Sequence, residues 1–286
     1  MLKYLQSCLE FQKYLGIDTS FDFATGNDYF KKKETLPNAK IKSTADSEQE
    51  IITMAKEQNN NITTINRADI NTDLHFQTEK LLEIKQKLRS LKTFDELEEM
   101  IKTSDICELK RHATNDVIYD GNKNAKIMLI GEAPGENEDL EGKPFCGQSG
   151  QLLRKALQHI NLNTENLLIT NTIYWRPPLN RKPTEDEIQK CYPFLLKMIE
   201  IVQPKILILC GATAIETLTK EKKKMSEVAG KQRIIQLKTI DDGSFQDFPV
   251  FSIYHPSFLL RQPNMKKTFW LHLLNLEKEL KNLKLI

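Results

Sequence analysis

The sequence has no run of 18 apolar residues, no C-x-x-C pair, no Walker A element and no G-x-G-x-x-G turn. Without the first, no transmembrane helix is expected. Without the second, the five scattered cysteines read as reduced thiols of a cytoplasmic protein, not as a disulfide framework. Without the last two, an ordinary nucleotide-binding domain has little support. Neither sign of charge dominates. Lys and Arg number 41 against 39 Asp and Glu, so the net charge is +2 and any basic surface must be local. The opening stretch "MLKYLQSCLEFQKYLGID" lacks an uninterrupted apolar segment and a small-residue cleavage site, so it does not read as a signal peptide.

What is present is a chain of two textures. Residues 1–92 read as an N-terminal extension, with an amphipathic helix over 2–15, a polar tether over 19–71 and a second helix over 72–91. A new texture begins at "TFDE", a capping-box pattern with Thr93 as N-cap and Glu96 three residues on. Short apolar strands follow at 126–130, 167–172, 205–210 and 249–254. Helical patterns fall between and after them, at 150–160, 185–202, 212–219 and 266–283. That alternation predicts an α/β catalytic domain over 93–286, a three-layer α/β/α sandwich on a short, mostly parallel four-stranded sheet. Ligands of such folds sit beyond the C-terminal strand ends. The rule selects "GEAPG", "NTIYWRPP", "CGATA" and "HPSFLLR" as site segments.

The segment "GEAPGENEDLEGKPFCGQSGQLL" carries five carboxylates between Glu132 and Glu141, too many for a simple phosphate cradle. Together with "TNTIYWRPPLNRKPTEDEIQKCYPFL" and "YHPSFLLR", in that order and spacing, it resembles the family 4 uracil-DNA glycosylases, the iron–sulfur type of bacteria and archaea. The resemblance covers roughly residues 93–286 and leaves the first 92 aside. It implies an enzyme of base excision repair that flips uracil out of DNA and hydrolyses its N-glycosidic bond. Phe145 would stack on the flipped base, a contact worth about 1–3 kcal/mol. Asn171 would present a donor to uracil O4 and an acceptor to N3–H, and cytosine reverses both. Glu138 would lie near C5, and Glu132 near the attacking water or the base. His255 would donate to O2 as charge builds there. Where the best-known glycosylase branch has an Asp to assist the water, this chain has Ala133, which implies a largely dissociative reaction. Leu259 would be the wedge pushed into the base stack, with Leu260 as the other candidate. Arg261, Arg176 and Ser257 would contact DNA. The implied partner is uracil-containing DNA, with no membrane association and a monomeric enzyme.

The chain departs from the family at the iron–sulfur site. Family members hold a 4Fe-4S cluster on four cysteines. Here Ser104 and Trp175 stand at two of those positions, and only Cys107 and Cys191 match. No cofactor is therefore expected. "RPPLNRKPTEDE" also lacks the histidine of the cross-linking branch, so no covalent enzyme–DNA adduct is expected. Taken singly, the residues have plainer readings: Phe145 as core, Asn171 as a strand-end cap, His255 as a satisfied polar group, Glu132 and Glu138 as solvated loop charges. The alternative for the whole chain is a weakly catalytic glycosylase fold that binds damaged or single-stranded DNA.

Overall fold

The computed structural model describes residues 67–286, together with Lys13 and Gly16. Apart from those two positions, the helix expected over 2–15 and the tether up to residue 66 lie outside the described residues. The second expected helix is present and begins earlier, as α1, Arg67–Ser90. Residues 80–286 fall in one compact unit. Ile84 and Leu88 of α1 belong to the same buried cluster as Phe94, Leu97 and Ile101 of the next helix, α2, Phe94–Thr103. The domain boundary expected at Thr93 therefore cuts through a packed cluster. The α2 helix starts where its sequence says: the Glu96 amide donates to Thr93 Oγ1 at 3.3 Å and the Thr93 amide to the Glu96 carboxylate at 2.9 Å.

The sheet has six strands, not the four expected. In chain order they are β1 (Asp120–Gly121), β2 (Ile127–Gly131), β3 (Leu167–Asn171), β4 (Ile206–Cys210), β5 (Gln232–Lys238) and β6 (Phe245–Ile253), arranged β1-β3-β2-β4-β6-β5. The four expected strands form its parallel centre, β3-β2-β4-β6. β2, β3 and β4 are buried at every position, as strands covered on both faces must be. β1 and β5 close the two edges in antiparallel pairings. The remaining helices are α3 (Glu136–Glu141), α4 (Gln148–Gln158), α5 (Glu185–Val202), α6 (Ala212–Thr219), α7 (Met225–Val228), α8 (Pro256–Arg261) and α9 (Lys266–Asn282).

Two hydrophobic clusters divide the strand residues by alternation. Met128, Ile130, Leu207, Leu209 and Val250 pack with α1, α2, α5 and α6. Ile127, Leu129, Ile206, Ile208 and Phe251 pack with α4 and α9. That is the expected three-layer sandwich. From β2 the chain goes to β3 on one side and then crosses to β4 on the other. This reversal opens a crevice at the C-terminal strand ends.

Candidate functional site

A cavity of about 600 Å³ occupies that crevice. The segments after β2, β3, β4 and β6 all contribute to its wall, and it gathers Glu132, Ala133, Glu138, Phe145, Asn171, His255, Ser257 and Arg261. Among the described residues no helix is long and apolar enough to cross a membrane.

Phe145 is held against the cavity by its backbone and by a residue the sequence reading missed. Its φ is +55°, unusual for an aromatic residue. The loop is pinned by Arg154 of α4. Its Nε donates to the Phe145 carbonyl at 2.9 Å, and its Nη2 to the Pro144 carbonyl at 2.8 Å and to Asp120 at 2.6 Å. A Cβ on Gly150 would run into the Phe145 backbone, so only glycine lets α4 approach this turn. A Cβ on Gly131 would overlap both the Phe145 ring and Asn171 Oδ1, so the end of β2 must be glycine for those side chains to meet there. The Phe145 and His255 rings lie 5.8 Å apart, tilted by 36°.

Asn171 is the last residue of β3 and is 2% exposed. Its side chain takes part in none of the side-chain hydrogen bonds that fix the neighbouring residues Glu132, Glu138 and Thr172. Asn171 lines the cavity, so its carboxamide is available to a ligand there.

His255 follows β6 and caps α8. Its Nδ1 lies 2.8 Å from Ser257 Oγ and accepts from the Ser257 amide at 3.3 Å. An amide can only donate, so Nδ1 is the acceptor and the proton of the neutral ring sits on Nε2. Burial pushes the His255 pKa below its ordinary value. The Arg261 charge acts in the same direction, and the charges of Glu132 and Glu138 oppose it. The imidazole is therefore neutral near pH 7, with one N–H to offer.

The two glutamates differ in their anchoring. The Glu132 carboxylate accepts from Thr213 Oγ1 of α6 at 2.5 Å, and its backbone carbonyl from Thr172 Oγ1 at 2.5 Å. Sequence reading gave no signal for Thr213, because it approaches from a helix 81 residues away. Glu138 bridges the glycine-rich loop: Oε2 accepts from the Gly135 amide at 3.1 Å and Oε1 from the Gly147 amide at 2.8 Å. Ala133 lines the cavity with a methyl group that can neither give nor take a proton.

The DNA-contact expectations divide. The segment that carries both wedge candidates is the helix α8. Its phase turns Leu259 inward to full burial beside Phe269 and Leu273, while Leu260 is 38% exposed. Leu259 is therefore packed in the core and not free to enter a base stack, and of the two wedge candidates only Leu260 is exposed. Arg261 is exposed at the helix end and lines the cavity. Arg176 donates from Nε to Asn180 Oδ1 at 2.8 Å and lies 3.6 Å from Glu136.

The residues at the family's cluster site do not fit a 4Fe-4S group. Cys107 and Cys191 are both buried, and burial pushes the Cys191 thiol well above its usual range. Trp175 is fully buried, with its indole N–H donating to Asp116 at 2.6 Å. Lys110 sits 5.5 Å from the Trp175 ring. Ser104 ends α2. Two thiols, an indole and a hydroxyl are not a four-thiolate cage. Cys210 belongs to the core on the other face of the sheet, and Cys146 neighbours Phe145. Among the described residues no three His, Cys, Asp or Glu side chains are grouped to hold a metal ion.

Comparison with known proteins agrees with this geometry. The uracil DNA glycosylase superfamily matches residues 118–275. A type-4 uracil-DNA glycosylase of Saccharolobus solfataricus is 41% identical over 169 residues, 56% of this chain and 74% of that protein. One from Thermotoga maritima is 38% identical over 165 residues, 57% of this chain and 81% of its own length. One from Archaeoglobus fulgidus is 33% identical over 183 residues, 63% and 89% respectively. The shared span runs across the sheet and every wall of the cavity, and by it the chain belongs to the uracil DNA glycosylase superfamily, with type-4 enzymes as its relatives.

Proposed function

We propose that this protein is a DNA repair glycosylase that extrudes uracil from DNA and hydrolyses its N-glycosidic bond, leaving an abasic site. The observation that carries the reading is the convergence on one cavity of an aromatic ring, a carboxamide and a neutral imidazole. A pyrimidine entering the cavity finds the Phe145 ring to stack against. Asn171 pairs with O4 and N3–H. Glu138, fixed on the Gly135 and Gly147 amides, holds the loop that closes the C5 side, where thymine carries its methyl.

His255 donates from Nε2 to O2. As the C1′–N1 bond breaks, its electron pair passes to the uracil ring and negative charge gathers on O2. A preplaced donor at that atom is worth about 10²–10³ in rate. The base leaves before the nucleophile arrives, since Ala133 cannot activate water. Water then adds to the cationic C1′, and its proton passes toward Glu132, whose carboxylate Thr213 holds in place. Leu260 enters the stack where the nucleotide left, and Arg261, Arg176 and Ser257 face the strand. No step needs an iron–sulfur cluster, and the packing of Trp175 against Asp116 does the structural work at that corner. The enzyme acts as a cytoplasmic monomer on uracil-containing DNA.

The test is release of free uracil from a single-uracil oligonucleotide in a metal-free buffer, run beside a binding assay on the same DNA. Release with an abasic product supports the reading. Binding without release would leave a DNA-binding module in its place.

A further inference from the structure

We infer that Leu179, on a loop whose next three residues line the cavity, is a second apolar contact to DNA, packing on a base beside the extruded nucleotide. The inference rests on the glycosylase reading above. Leu179 is 96% exposed, the most exposed of the large hydrophobic side chains among the described residues. Its φ is +54°, and the next residue, Asn180, has φ +55°. A leucine in the left-handed region is disfavoured, and glycine or asparagine would satisfy the same turn with less strain. Such strain persists where the surroundings over-determine the backbone.

They do so here. Pro177 and Pro178 stiffen the approach. The Asn180 amide donates to the Pro177 carbonyl at 3.1 Å, and the Arg181 amide to the Pro178 carbonyl at 3.2 Å. Arg176 grips Asn180 Oδ1 at 2.8 Å, and Arg181 is forked onto Glu187 at 2.6 and 2.9 Å. The loop is thus braced from both sides, and its tip presents an apolar side chain to solvent.

The position identifies the occupant. Asn180, Arg181 and Lys182, which follow Leu179 directly, line the same cavity as His255 and Arg261. A strand whose uracil fills the cavity must pass this loop, with Arg176 and Lys182 supplying positive charge beside it. The faces of bases next to a vacated position are apolar and newly exposed, which is what a rigidly held leucine can cover. Duplex DNA loses most stacking and pairing on extrusion and single strands lose least, so the contact matters most on duplex.

The experiment compares wild type, Leu179→Asn and Leu179→Met in single-turnover cleavage of uracil in a U:A duplex and in the matching single strand, with melting temperatures alongside. Leu179→Asn should lower the duplex rate between about fivefold and a hundredfold, the worth of one base contact, and leave the single-strand rate within about twofold. Its melting temperature should equal or exceed that of wild type, since asparagine tolerates this backbone. Leu179→Met should keep most of the duplex rate. Three results would overturn the inference: an unchanged duplex rate in Leu179→Asn, an equal loss on both substrates, or a lowered melting temperature that accounts for the loss. If wild type releases no uracil from either substrate, the glycosylase reading itself is wrong and this inference goes with it.

Discussion

Replacing His255 by alanine separates catalysis from binding most sharply. The imidazole touches DNA only through the base in the cavity, and its role is to meet charge that is absent from the ground state. Its loss should therefore lower the single-turnover rate by about 10²–10³, or about 2.7–4 kcal/mol. Affinity for DNA carrying a non-cleavable uridine analogue should change little by comparison. The structure grades the effect further. Nδ1 has two donors from Ser257, the hydroxyl at 2.8 Å and the amide at 3.3 Å. Ser257→Ala removes one and keeps the other, so the tautomer survives and the loss should stay within about tenfold, the worth of one net hydrogen bond. The pH profile has a definite sign. Burial holds the His255 pKa below its ordinary value, so the neutral ring prevails above that value and the rate is level there. Below it, a proton on Nδ1 would oppose the Ser257 amide and force the Ser257 hydroxyl to turn from donor to acceptor, which disturbs the arrangement that orients the ring, and the rate should fall with pH. Rapid-quench cleavage and a fluorescence anisotropy titration on the same DNA read the two quantities. Equal losses in rate and affinity for His255→Ala would refute the argument, because they would make the histidine a ground-state contact.

Three further perturbations follow from the same geometry. Asn171→Asp places an acceptor where uracil O4 is also an acceptor, so uracil release should fall by about 10⁴-fold or more, as in sites that lose a paired polar contact; release at the parental rate, read by product chromatography, would make Asn171 a strand-end cap. Trp175→Ala empties a fully buried site and leaves Asp116 without its indole donor, so it should cost about 3–5 kcal/mol in denaturant unfolding; purified wild type should contain far less iron than a 4Fe-4S cluster brings, and a full complement would show that other groups complete the cage. Burial lowers the pKa of His272 to about 4. A group depressed in the folded state adds stability that is present above its unfolded pKa and lost as pH falls through the folded one. Melting temperature should therefore decline from about pH 6.5 toward pH 4, and the decline should be shallower in His272→Gln.

Much of this fold was legible because its central strands are buried on both faces and read as plain apolar runs. "KIMLIG" and "KILILC" need no alternation to be recognised. The edges were not legible for the opposite reason. β1 is two residues long, and β5, "QRIIQLK", faces solvent at alternate positions and reads as mixed polar chain. Three of the expected site residues, Glu132, Asn171 and His255, sit in local motifs at strand ends, and Glu138 and Phe145 lie in the glycine-rich stretch that follows β2. Those that the sequence did not reveal act across long separations. Arg154 reaches Asp120 across 34 positions, and Thr213 reaches Glu132 across 81. The resemblance put Leu259 ahead of Leu260 as wedge candidate, and the sequence did not reveal that "HPSFLLR" forms a helix that buries Leu259. On a helix, a step of one residue turns the side chain by about 100°, enough to move one leucine into the core and leave its neighbour outside.

The cavity at the C-terminal ends of the parallel strands should accept uracil and release it from DNA. The most direct measurement is single-turnover release of free uracil from a single-uracil oligonucleotide by purified full-length protein, in the presence of chelator. Wild type should give stoichiometric uracil and an abasic strand, and His255→Ala should release it at least about a hundredfold more slowly. Tight binding of the same oligonucleotide with no free uracil formed would contradict it.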